Sequence, residues 1–143
     1  MKNTLLALAL VLVFGSFVVI AQDKLPEYGN VADLNGMTKV YVATDSTDVR
    51  KFILGELKKY NSLEVVASPD EGQFILECKQ TGHIATSSDL FKEMPTFEMI
   101  AYTVTNARRK IAWSATKTSV RYPPTLLTRD FINALKKARG EKK

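Results

Sequence analysis

The fold is decided by residues 38–67, which read TKVYVATDSTDVRKFILGELKKYNSLEVVA. Over residues 38–44, β-forming side chains alternate between two faces, which predicts a strand with one apolar face. An acidic, hydroxyl-rich start and apolar side chains at helical spacing then predict a helix that runs to about Tyr60. Residues 63–67 predict a second strand. We therefore expect a right-handed crossover that makes these two strands parallel.

The rest of the chain alternates apolar stretches with polar links and ends in a second helical pattern. Further strands are predicted over residues 73–79, 97–105 and 110–118, separated by a turn over 68–72, a polar connection over 80–95 and a hairpin loop over 106–109. Because the later links are of turn length, these strands are expected to pair antiparallel. Pro123 and Pro124 suit the first turn of a second helix, and Gly140 suits its end.

The element order β-α-β-β-β-β-α predicts an α+β fold. We expect a two-layer α/β sandwich, in which a mixed sheet carries both helices on one face. Each buried core side chain contributes about 1.5–3 kcal/mol, so we expect a domain that folds without a cofactor. The predicted core consists of Val40, Val42, Phe52, Ile53, Leu57, Phe74, Leu76, Trp113, Phe131 and Leu135.

The N-terminus has the pattern of a bacterial secretory signal peptide over residues 1–21. Basic Lys2 precedes an apolar run, and cleavage is expected after Ala21, which predicts a periplasmic or secreted protein. An uncleaved membrane anchor is the alternative. After cleavage, an extended lead-in over residues 22–37, a single domain over 38–139 and a basic tail over 140–143 are expected.

Composition excludes several kinds of site. The single cysteine, Cys78, rules out a disulfide within the chain and a lipid-attached N-terminus, and the single histidine rules out a multi-histidine metal centre. The formal net charge of +5 is modest, and basic residues do not interleave with aromatic ones. With export, this argues against nucleic acid as a partner. Neither a cofactor nor a metal is expected.

The strand-helix-strand stretch TKVYVATDSTDVRKFILGELKKY…LEVVASPDEGQFILECK, the strand ARRKIAWSATK and the final helix PPTLLTRDFINALKKAR together resemble a known group of envelope domains. This group comprises the N-terminal domain of TolB and similar small α/β domains of bacterial periplasmic proteins and lipoproteins. The resemblance covers residues 38–139 and implies an adaptor or assembly module rather than an enzyme. It contains no catalytic motif, so it assigns no functional residue.

His83 is the one candidate for catalytic chemistry, because Ser87, Ser88 and Asp89 follow it closely. A nucleophile, base and acid must converge from separate, rigid elements, whereas these residues share one polar loop. We therefore expect a surface histidine and no enzymatic activity, with a hydrolase centred on His83 as the alternative. Asp89 and Glu93 add too few fixed ligands for a metal.

Two surfaces are candidates for binding. Tyr41, Ile75, Lys79 and Tyr102 fall on the sheet face away from the helices, which is either a partner-binding face or an ordinary solvent face. The second surface is a C-terminal basic cluster for anionic lipid or polysaccharide, although such side chains also suit a helix C-terminus. This cluster consists of Lys136, Lys137, Arg139, Lys142 and Lys143.

Cys78 lies on the apolar face of its predicted strand, so a buried thiol is expected, with an intermolecular disulfide as the alternative. The expected function is a non-catalytic interaction or adaptor domain of the bacterial cell envelope. It would bind an envelope protein partner through the open sheet face or a sheet edge. Binding of anionic lipid or an envelope polyanion is the first alternative, and an unrecognised hydrolase is the second.

Overall fold

The computed structural model describes residues 25–85, 93–119 and 121–142. Within them the fold is α+β, as predicted, with a mixed six-stranded sheet and two α-helices packed on one face. The predicted signal peptide lies outside these residues. The strands are β1 (Glu27–Tyr28), β2 (Lys39–Ala43), β3 (Glu64–Val65), β4 (Phe74–Ala85), β5 (Glu93–Thr105) and β6 (Arg108–Thr118), and the helices are α1 (Thr47–Lys59) and α2 (Pro123–Arg139).

The strands lie in the order β1-β6-β5-β4-β2-β3. β2 and β3 are parallel, as the crossover through α1 predicts, and β4, β5 and β6 form antiparallel pairs. The expectation that the turn over residues 68–72 joins an antiparallel pair is wrong. β4 is parallel to β2 and lies on the other side of it from β3.

The link between β3 and β4 crosses β2 instead of folding back along β3. Gly72 passes so close to β2 that a Cβ atom added there would lie 3.1 Å from the backbone nitrogen of Tyr41. β3 has only two residues, so it offers almost no ladder on which a hairpin partner can form. The link therefore places β4 beside β2, on the side of β2 that does not pair with β3.

Two segments predicted as irregular are ordered. The described parts of the polar connection over residues 80–95 are strand, since β4 continues to Ala85 and β5 begins at Glu93. Most side chains in this segment are polar, so the sequence lacks the apolar–polar alternation that is typical of a half-buried strand. The pairing also shifts register between Gln80 and Gly82, which breaks a simple two-residue period.

Residues 25–37, the described part of the predicted extended lead-in over residues 22–37, belong to the packed domain. β1 pairs in parallel with Lys110 and Ile111 of β6. A 3-10 turn then follows over Val31–Leu34, where the Asn30 and Asp33 side chains cap each other's backbone nitrogens. It places Leu34 in the core with no exposed surface.

The core lies between the sheet and the two helices, as predicted. Two residues that were predicted to be in the core are less buried than expected. Trp113 is only partly buried, and Phe52 is 39% exposed. The buried side of α1 is formed by Val49, Ile53 and Leu57, and Phe52 points away from it to stack on Tyr122. Several fully buried side chains were not predicted, namely Leu34, Met99 and Leu127.

The turn between β5 and β6 holds two residues in the left-handed region, with φ of 53° at Asn106 and 58° at Ala107. Alanine is strained there by about 1–2 kcal/mol, because its Cβ crowds the following carbonyl. Replacing Ala107 by glycine is expected to stabilise the fold by about 0.5 kcal/mol, since relieved strain exceeds the added entropy of the unfolded chain. Urea denaturation measures this change.

The matched reverse exchange is Gly140→Ala. Gly140 ends α2 as predicted and has a φ of 68°, so alanine is expected to destabilise the fold by about 1 kcal/mol. If both exchanges shift the free energy of unfolding in the same direction, backbone strain is not what distinguishes these positions.

Candidate functional site

Three of the four predicted partner-binding residues form a continuous row across the sheet. Tyr41 on β2 is the register partner of Ile75 on β4, and Ile75 is the register partner of Tyr102 on β5. Because directly paired residues point to the same side, the row lies on the face opposite the helices. The alternation in the sequence therefore places these residues together as expected.

The Tyr102 end of this row is covered, since only 6% of the Tyr102 surface is exposed. The Arg109 guanidinium covers its ring, with the central carbon 4.8 Å from the ring centroid. Burial, and then the nearby Glu77 carboxylate, raise the pKa of the Tyr102 hydroxyl. Tyr102 is therefore a neutral, covered side chain that a partner reaches only by displacing Arg109.

The charged side chains beside this row are already paired with one another. Lys79 is exposed, and its Nζ lies 3.7 Å from Oε1 of Glu77. Arg109 Nη1 lies 3.4 Å from Oε2 of the same carboxylate. Both cations are therefore held by Glu77, which leaves a formal charge of only +1 on this group to attract a partner to this face.

Tyr41, at the other end of the row, is also partly covered. It is half-buried beneath the link that carries Gly72 over β2. Arg50 contributes a second cover, with its guanidinium carbon 5.9 Å from the Tyr41 ring centroid and its Nη1 donating to the Val42 carbonyl oxygen at 2.6 Å. The predicted face is thus largely occupied by the protein's own side chains.

A more open feature lies at the edge of the sheet. β1 pairs only with Lys110 and Ile111, and Gly29 donates one more hydrogen bond to the Ile111 carbonyl oxygen. In the described part of the chain, residues 112–118 of β6 have no strand on their outer side. Ser114 and Thr116 are exposed there. Sequence reasoning considered a sheet edge but gave no strand order, so it assigned no residue to one.

Cys78 is buried, as predicted, with 1% of its surface exposed and no disulfide. Burial, and to a lesser degree the Asp45 charge, raise the pKa of its thiol to about 12. Because the thiolate is the reactive form, this cysteine is a poor nucleophile at neutral pH.

The predicted C-terminal basic cluster is divided by the structure. Arg139 turns into the fold, where it donates to the Met37 carbonyl oxygen and, at 3.3 Å each, to the Leu34 carbonyl and Tyr60 hydroxyl oxygens. The Lys136 ammonium lies 5.2 Å from the centroid of the Tyr60 ring. Lys137 and Lys142 are exposed, and Lys143 lies outside the described residues.

The predicted catalytic alternative is not addressed by the structure. The His83 side chain and residues Ser87, Ser88 and Asp89 lie outside what the structure describes, as does the side chain of Glu93. Among the described residues, no group of three histidine, cysteine or acidic side chains converges on a metal position. Over the same residues, neither helix is long and apolar enough to cross a bilayer.

No protein-family model and no curated protein match this chain. Among solved structures, it is similar to the hypothetical protein CT253 from Chlamydia trachomatis, with a TM-score of 0.43 and 9% identity, covering 73% of this chain and 97% of that chain. It is also similar to a PelC variant, solved as a dodecamer, from Paraburkholderia phytofirmans. That match has a TM-score of 0.42 and 13% identity, covering 83% of this chain and 95% of that chain. Likeness at this level carries no functional conclusion.

Proposed function

We propose that this chain is an exported, non-catalytic interaction domain of the bacterial cell envelope. It binds a protein partner by adding an extended strand of that partner to the outer edge of β6. The observation that carries this proposal is the free edge over residues 112–118, which continues where the two-residue strand β1 stops. Export rests on the N-terminal sequence, and the adaptor role agrees with the resemblance to TolB-like domains.

Strand addition suits this edge for a chemical reason. A strand without a neighbour presents unpaired backbone N–H and C=O groups, and a partner strand satisfies them while its side chains provide specificity. Natural sheets block such edges with prolines, bulges or very short strands. Residues 112–118 contain no proline. Because Ala101 pairs with Trp113 and Tyr102 with Ile111, Ala112 is an extra residue on β6, and the regular part of the edge is residues 113–118.

The face formed by Tyr41, Ile75 and Tyr102 is the weaker candidate. Binding there requires a partner to displace Arg109 and to break its ion pair with Glu77. At residues 113–118 of β6, no strand of the described chain has to be displaced before a partner strand can pair. The edge therefore supports the first contact better than the face does.

The proposal is tested with a photo-crosslinking side chain placed at Ser114 or Thr116 in the native host. Both positions are expected to capture the same envelope protein. Glu64 is the matched control, because it is an exposed strand residue at the opposite edge of the sheet. Capture at Glu64 alone, or at none of the three positions, would contradict the proposal.

Hydrogen exchange in the purified complex distinguishes an added strand from other contacts. Within residues 112–118, the backbone amides that point away from β5 are expected to exchange more slowly in the complex than in the free protein. If protection instead appears on β4 around Ile75 and the β6 amides are unchanged, the partner binds the sheet face, and strand addition is wrong.

A further inference from the structure

We infer that the groove between α1 and α2 binds a phosphate-bearing group. The groove lies on the solvent side of the helix layer and has a volume of about 230 Å³. Its charged lining consists of Lys59 and Glu56 from α1 and Arg129 and Lys136 from α2. This site is separate from the β6 edge and does not depend on the function proposed above.

The single carboxylate of the groove is covered by its cations. The Glu56 side chain is 10% exposed, whereas the Arg129 and Lys59 side chains are 53% and 69% exposed. Glu56 accepts hydrogen bonds from Arg129 Nε at 3.0 Å, from Arg129 Nη2 at 3.2 Å and from Lys59 Nζ at 2.8 Å. The hydrogen bond from Arg129 is the main cause that lowers the pKa of Glu56. A solute therefore meets the cations first.

The groove carries more positive charge than its carboxylate offsets. Three cations and one carboxylate leave a formal charge of +2. The Lys136 ammonium rests on the Tyr60 ring, and within the described part of the chain no carboxylate is in ion-pair range of it. Lys136 is thus a cation that faces the groove with its charge uncompensated.

Hydrogen-bond donors remain available on both helices. Arg129 uses Nε and Nη2 for Glu56, which leaves Nη1, and Lys59 uses one of its three ammonium hydrogens. Together with Lys136, these groups present donors from two helices across one small groove. A phosphate group has several acceptor oxygens and up to two negative charges, which match such a set better than a single carboxylate does. A lipid headgroup and a soluble phosphate compound share this chemistry.

The test uses the purified protein with two probes. The first is pyrophosphate, followed by NMR shifts of residues on α1 and α2. The second is phosphatidylcholine vesicles with and without phosphatidylglycerol, followed by sedimentation. Binding of pyrophosphate alone assigns a soluble ligand, binding of phosphatidylglycerol vesicles alone assigns a lipid headgroup, and either result supports the inference.

The variant Lys59→Gln/Lys136→Gln is expected to bind about tenfold more weakly than the parent protein. Lys39→Gln/Lys51→Gln is the matched control, because it removes the same charge at two exposed positions outside the groove. If Lys136→Gln disturbs folding through the lost Tyr60 contact, the single variant Lys59→Gln is compared with Lys51→Gln instead, and weaker binding is again expected only for the groove variant. The inference is wrong if neither probe binds, or if both double variants lose affinity equally.

Discussion

Replacing Phe131 by alanine is expected to lower the free energy of unfolding by about 3–5 kcal/mol. Phe131 has no exposed surface and lies where helix α2 meets the sheet. Its ring centroid is 6.0 Å from that of Phe74 and 5.3 Å from that of Trp113. Alanine leaves a cavity between these rings that close-packed neighbours fill only in part. Urea denaturation, followed by the fluorescence of the single tryptophan, measures the loss.

Phe52→Ala is the matched control for this prediction. It makes the same chemical change on the other helix, at a side chain that is 39% exposed and stacks on Tyr122. A loss of about 1 kcal/mol is expected there, because little apolar surface is buried and no closed cavity forms. Equal losses at the two positions would show that Phe131 is not the centre of the core.

Replacing Arg139 by methionine is expected to lower the free energy of unfolding by about 3 kcal/mol. The Arg139 side chain is 12% exposed and connects the end of α2 to the Leu34 and Met37 carbonyl oxygens and to the Tyr60 hydroxyl. Methionine keeps the apolar part of the side chain but removes the donor to the Met37 carbonyl and Tyr60 hydroxyl oxygens, whereas the Leu34 carbonyl oxygen keeps its bond from the Met37 backbone nitrogen. The loss is therefore mainly one of hydrogen bonds to a charged group.

Lys137→Met provides the comparison for Arg139. It removes a neighbouring cation from the same helical turn, but Lys137 is exposed, so a change within about 0.5 kcal/mol is expected. Chemical denaturation of both variants at one salt concentration separates the two effects. If the two variants lose the same stability, Arg139 contributes only its charge at the helix terminus and does not hold the N-terminal turn.

Periodic segments of the sequence predicted their structures well. The apolar stripe from Val49 to Leu57 identified α1, and the pair Pro123-Pro124 with Gly140 marked both ends of α2. These signals are local, since they depend on neighbours within one or two turns. The lead-in was missed although Asn30 and Asp33 form a capping box, because β1 is too short to show any alternation.

Features that depend on distant contacts were not predictable in this way. Alternation placed Tyr41, Ile75 and Tyr102 on one face, yet nothing near Tyr102 indicated that Arg109 covers it. The free edge of β6 follows from the strand order and from β1 pairing with only two residues of β6, neither of which a local pattern shows. Likewise, the sequence groups Arg139 with the exposed lysines of the C-terminal basic cluster. Its contacts with carbonyl oxygens about a hundred positions earlier become visible only in the structure.

The hydrogen bonds of Arg139 join the first and last described segments of the chain, which affects when the newly synthesised protein can fold. Residues 34–37 are made early, but the Leu34 and Met37 carbonyl oxygens accept hydrogen bonds from the Arg139 side chain at the end of the last helix. Asn35 Nδ2 also donates to the Ala138 carbonyl oxygen at 3.2 Å. The nascent chain therefore cannot complete its native packing until nearly the whole polypeptide has emerged. This late closure is compatible with the export proposed above, because a secretion channel passes chains that have not yet folded.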